Sequence, residues 1–178
     1  YTFSTEQQSS VAFFPLFPLL VKGLTGLGLS VEWAGVVAVV LTGAAAALAL
    51  HAWFWRMQPA ETASLAEWLF WFSPFALFVI GCVYSDAIFV ALVAGAFLAL
   101  ERRQVAAAVV LGFLACAARP VGLAVVFGLM VREVEVRRAR HESPLWALAL
   151  GLTGFGTVAY MVYLQHTFGD ALAFVHAQ

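Results

Sequence analysis

Residues 84–120 read YSDAIFVALVAGAFLALERRQVAAAVVLGFLACAARP. Two apolar runs lie between polar ends: Tyr84-Ser85-Asp86 precedes the first, Glu101-Arg102-Arg103-Gln104 separates them, and Arg119-Pro120 closes the second. Each run has helix length and almost no internal charge. The second, residues 105–118, makes only about 21 Å of helix. Which side of a bilayer the polar ends face decides the fold and the site.

Around this stretch the composition points the same way. The chain is 63% hydrophobic and 11% charged, with mean hydropathy +0.94. A soluble domain is about half apolar and a quarter charged. The sequence therefore predicts an all-α, polytopic transmembrane bundle in one domain, residues 1–178, with the lipid bilayer as its main solvent. A net charge of −1 gives no reason to expect a nucleic-acid partner. Cys82 and Cys116 both lie in apolar runs and read as free thiols. No His/Cys set has metal-ligand spacing.

Working outward, residues 1–10 read as a polar loop. Pro15 and Pro18 interrupt the apolar run that follows, so residues 11–29 either re-enter or cross as a broken helix. Lys22 lies within that run. Residues 31–55 form a long span, with Trp53, Trp55 and Arg56 as interfacial anchors. His51, a turn inside, reads as a hydrogen-bonded structural histidine. Residues 67–83 make the next span, kinked at Ser73-Pro74. Beyond the central stretch, residues 121–131 add a short apolar run. Arg132 to Ser143 read as a charged connector, and residues 145–164 as a last span. Gly151, Gly154 and Gly156 lie inside that span and read as sites of close helix packing.

Arginine-rich short loops mark the cytoplasmic side. Residues 101–104 and 132–140 both qualify, so the chain between them crosses an even number of times. Residues 105–131 then form a hairpin with Arg119-Pro120 at its tip, and proline suits the first turn of the returning helix. Asp86, Arg119, His166, Asp170 and His176 all fall on the non-cytoplasmic face. Arg119 needs either an anion or a route to the headgroups. Ser85 and Asp86 also suit an N-cap and a first-turn acid, and Asp170 and His176 suit an ordinary wet surface.

No phosphate-binding glycine loop, Asp-x-Asp pair or Ser/His/Asp set is readable. Four segments, in order, resemble one family. They are Phe13-Phe14-Pro15-Leu16-Phe17-Pro18-Leu19-Leu20, Tyr84-Ser85-Asp86-Ala87-Ile88-Phe89, Ala118-Arg119-Pro120-Val121-Gly122, and Phe168-Gly169-Asp170-Ala171-Leu172-Ala173-Phe174 with the closing Ala177-Gln178. The family is the PIG-V-like mannosyltransferases, membrane enzymes of the C-type glycosyltransferase fold.

The resemblance implies inverting transfer of a hexose, usually mannose, from a polyprenyl-phosphate donor to a lipid or glycan acceptor, without a cofactor or metal. It implies catalytic roles for Asp86 and Arg119, and substrate contacts from Tyr84, Ser85, Phe14, Pro15, Asp170 and Gln178. It also implies that this chain is a piece of a longer bacterial plasma-membrane protein. On that reading a first span, the first external loop and C-terminal spans are missing. The family's general base is the Asp of a Trp-Asp motif expected before Tyr1. Phe17 stands where the family has tyrosine. A multispanning transporter or flippase, and a non-catalytic membrane subunit, are the other classes these features allow.

Overall fold

A computed structural model describes residues 13–176. Among them every regular element is helical: α1 Leu16–Gly26, α2 Val31–Met57, α3 Ala60–Trp71, α4 Ala76–Ile80, α5 Asp86–Glu101, α6 Val105–Ala118, α7 Gly122–Ala139, a 3₁₀ segment Pro144–Gly154, α8 Phe155–Phe168 and α9 Ala173–His176. Two helical stretches are long and apolar enough to cross a membrane, Val31–Met57 and Ala147–Phe168.

The two prolines start the first helix rather than break it. Pro15 takes the N-cap position and Pro18 falls in the first turn of α1, where a missing N–H leaves no hydrogen bond unmade. Phe17 turns inward with Leu20, Val21 and Leu24 and packs on Ala38 and Val39 of α2 and Ile88 of α5. Ser30 caps α2 by accepting from the Trp33 N–H. Helices α2, α5 and α6 form the centre of the molecule. A core of small and branched residues, including Ala96, Ala99, Leu100, Ala108, Leu129 and Leu150, ties α5 and α6 to α7 and the 3₁₀ segment.

Three expectations need correction. The kinked span 67–83 is broken outright. Helix α3 ends at Trp71, Ser73 Oγ donates to the Phe70 carbonyl, and only the five residues of α4 follow. Pro74 removes a donor and crowds the preceding turn, so no continuous helix passes through it. The charged connector 132–143 is helical as far as Ala139, because Glu133 and Arg137 sit four apart on one face and pair at 2.5 Å. The last span starts as a 3₁₀ helix and becomes α-helical only at Phe155. Of its glycines, Gly156 alone meets α6 closely: a Cβ there would collide with the Phe113 carbonyl and Cys116, whereas Gly151 faces open space.

The helices end at different heights, and this positions the site. Ile88, in the first turn of α5, packs beside Ala38 and Val39. The first turns of α2 therefore rise about 7 Å beyond the start of α5. Thr157 Oγ1 donates to the Cys116 carbonyl at 3.1 Å, so α8 begins beside the last turn of α6. It then runs on to Phe168, about 16 Å further. The ends of α5 and α6 that carry Asp86 and Arg119 therefore lie in a recess, below the far ends of α2 and α8.

Candidate functional site

The floor of the recess is the corner between α6 and α7. Arg119 ends α6 in an extended conformation and Pro120 prevents the helix from continuing. Gly122 then opens α7 so tightly against α6 that a Cβ there would meet Cys116 Cα and the Ala115 carbonyl. The order Arg-Pro-Val-Gly is thus a turn whose chemistry fixes where one arginine points. Arg119 Nη1 donates to Asp86 Oδ1, across from the N-terminus of α5. Their side chains are 29% and 25% exposed, enough for contact with a ligand and too little for free hydration. Arg119 is held inward by this ion pair rather than reaching up to headgroups. The Arg119 guanidinium also lies over the Tyr84 ring, 5.5 Å from its centroid.

Asp86 is favoured where it stands, since a first-turn carboxylate complements the positive end of the helix. Ser85 occupies the N-cap position, but its hydroxyl makes no capping bond and its backbone is helical. The serine is therefore not the structural cap the sequence allowed. It lines a small pocket of 160 Å³ together with Phe13, Phe14, Phe17, Val83 and Tyr84.

The four sequence segments converge on this end. Phe13 meets Tyr84 edge-on at 6.1 Å. Phe14 is buried and packs against Tyr160 at 4.8 Å and Phe174 at 5.3 Å. Tyr160 Oη donates to the Phe13 carbonyl at 3.2 Å. Pro15 lines a groove of 650 Å³ between α1, α6 and α8. Asp170 does not reach Arg119. It receives the Leu172 N–H at 2.9 Å and holds His176 Nδ1 at 2.7 Å. These hydrogen bonds, that from His176 first, hold the Asp170 carboxyl below its ordinary pKa. Gln178 lies outside the described residues. His51 is hydrogen-bonded as expected, to Glu67 at 2.9 Å, and Glu67 also accepts from Trp55 Nε1 at 3.0 Å.

Beside the ion pair opens a cleft of 670 Å³. Phe70, Phe75, Phe78, Val79 and Val90 form much of its walls, and Tyr84, Asp86 and Arg119 line it too. The sequence did not single out these phenylalanines. They are brought to Arg119 because the chain breaks at Ser73-Pro74 and α4 continues along α2 toward its N-terminal end. A cleft of this kind suits an amphiphile with an anionic group at the arginine and a hydrocarbon part against the rings. Among the described residues no cluster of three or more His, Cys, Asp or Glu could hold a metal ion. Both cysteines are free.

Compared with family models, curated proteins and solved structures, the chain matches none.

Proposed function

We propose that the chain is part of a multi-pass membrane glycosyltransferase of the C-type fold that uses a polyprenyl-phosphate hexose, the sugar being mannose. The observation that carries the reading is the recessed Asp86–Arg119–Tyr84 cluster at the edge of a phenylalanine-lined cleft. Helices α5 and α6, about 24 and 21 Å long, are shorter than the roughly 30 Å of a bilayer core. The arginine-rich turns at their other ends put that side in the cytoplasm, so the recess opens to the outside.

In the reaction the acceptor hydroxyl oxygen attacks the anomeric carbon. The bond from that carbon to the carrier phosphate oxygen breaks, and the configuration inverts. Charge builds on the leaving phosphate, and a preorganised guanidinium stabilises it best. Asp86 keeps Arg119 aimed and neutralised in the empty site, and the phosphate then shares the fork. The acceptor proton goes to a carboxylate, which the resemblance assigns to residues before Tyr1.

The test is transfer from radiolabelled polyprenyl-phosphate-mannose in membranes carrying the full-length protein. Arg119→Ala abolishes transfer on this reading, and undiminished transfer sinks the assignment. A cysteine placed beside Asp86 labels from outside with an impermeant thiol reagent. Labelling from the cytoplasm alone overturns the topology. The break between α3 and α4 also fits a carrier that moves lipid across the membrane, as discontinuous helices do in transporters. Lipid movement without sugar transfer would favour that second reading.

A further inference from the structure

The groove on the other side of α6 is separate from the Arg119 cleft and is lined by different residues. Its walls are Pro15, Pro18 and Leu19 of α1, Phe113 and Ala117 of α6, and Gly156 and Ala159 with two tyrosines of α8. Small residues at 117, 156 and 159 leave it open, and it encloses 650 Å³. One cation lines it, Lys22.

Lys22 is not on the packed side of α1. Positions 15, 18, 19 and 22 recur at helical spacing on one face, while Phe17, Leu20, Val21 and Leu24 pack on α2 and α5. Among the described residues no carboxylate lies within ion-pair distance of Lys22; seven acids pair with Arg103, Arg119, Arg132, Arg137 and two histidines, and Glu32 and Glu61 form no ion pair. Helix α1 climbs from Pro15 toward the N-terminal end of α2, so Lys22 stands about 10 Å above Pro15. Phe113 and Gly156 lie lower, where α6 and α8 touch. The groove therefore has a positive mouth and a long apolar interior.

We propose that this groove binds an anionic phospholipid, with its phosphate on Lys22 and one acyl chain running down between α1 and the seam of α6 with α8. Charge complementarity selects the headgroup: Lys22 is exposed at the mouth of the groove, and an ammonium with no carboxylate partner among the described residues attracts a net anion more than a zwitterion. The apolar walls favour a lipid over a free anion, which would leave them uncovered. This needs a bilayer around the protein but does not depend on sugar transfer.

Native mass spectrometry of the full chain in detergent tests it, using phosphatidylglycerol and phosphatidylcholine with identical acyl chains. The wild type should retain phosphatidylglycerol in preference. Lys22→Gln should weaken that binding about tenfold, and Lys22→Arg should keep it. Ala159→Trp should fill the groove and displace the lipid while Lys22 remains. Arg138→Gln with Arg140→Gln, at the opposite end, should change nothing. Equal retention of the two lipids, full binding by Lys22→Gln, or loss that follows the arginines would each overturn the proposal. So would displacement of the lipid by millimolar inorganic phosphate, which would make the ligand a free anion.

Discussion

The two ends of the helical bundle use the same side-chain chemistry for opposite ends. At one, Glu101 accepts from Arg132 Nε at 2.6 Å and gives its backbone carbonyl to Arg56 at 3.1 Å. Arg103 and Arg137 share Glu142, and Arg137 also holds the buried Glu133. Arg132 and Arg137 each hold two acids, and those of Arg132 lie on two helices, α5 and α7. At the other end the Asp86–Arg119 pair sits at the edge of an open cleft, and Asp170–His176 forms a separate pair that does not reach it. A network with redundant partners fastens helices. An isolated pair with space in front of it keeps a charge aimed at whatever enters that space.

This contrast is sharpest in a pair of substitutions with reciprocal readouts. Arg119→Ala should lower sugar transfer at least about 100-fold, the scale of losing one donor that stabilises developing charge. Arg119→Lys should keep the charge but lose the planar fork, and should recover only part of the activity. The double change Arg119→Ala with Asp86→Asn leaves no carboxylate unpaired, and its melting temperature should stay close to wild type. If that double variant unfolds, the pair is structural and the distinction between the two ends fails.

Glu133→Ala should do the reverse. Glu133 is 2% exposed and is bonded to Arg137 at 2.5 Å. Arg137 keeps Glu142 at 3.2 Å, so the loss should fall short of the roughly 3 kcal/mol of a buried charge left without a partner, yet be visible as a lowered melting temperature. Transfer per folded molecule should stay unchanged. Lost transfer without lost stability would mean that the charged end also takes part in function.

Gly156→Ala tests the wall that makes the recess deep. The added methyl would meet the Phe113 carbonyl and Cys116, forcing α8 away from α6 at a cost of about 1–3 kcal/mol. Gly151→Ala, facing open space, serves as its control and should have no such cost. Equal effects at both positions would remove the argument that α8 is seated by that one glycine.

Much of this arrangement was legible in the residues. The helices over 31–57, 86–101 and 105–118 follow from their apolar runs, and the corner at 119–121 follows from proline and the charged turns on either side. The pairing of Asp86 with Arg119 follows from putting both at one end. What sequence reasoning missed has physical causes. Helix 132–139 is masked by its charge, because a row of ions looks like a solvated loop until its four-residue spacing is counted. Phe70, Phe75 and Phe78 read equally as lipid-facing or inward, and only the break at Pro74 turns them to the cleft. Lys22 lies in a run whose prolines hide its helical spacing, and only the packing of α1 on α2 and α5 sets it on the opposite face.

The smallest effect lies on the recess side, at the Asp170–His176 pair, and it separates surface order from the buried pair nearby. The Asp170 carboxyl is held below its ordinary pKa by the bonds from His176 and from the Leu172 amide. A group with a depressed folded-state pKa contributes stability that is fully present above its unfolded value, about 4. That contribution is lost as pH falls through the lower folded value. Because Asp170 is open to water, the loss should be local and should leave the bundle intact. Hydrogen exchange at the Leu172 amide, corrected for the intrinsic effect of pH, should therefore lose protection only below pH 4 or so. Asp170→Asn should abolish that pH dependence. Protection that is unchanged to strong acid would show that Asp170 is not what orders the turn after α8, and a simultaneous loss at α5 and α6 would show that the rim and the Asp86–Arg119 pair open as one unit.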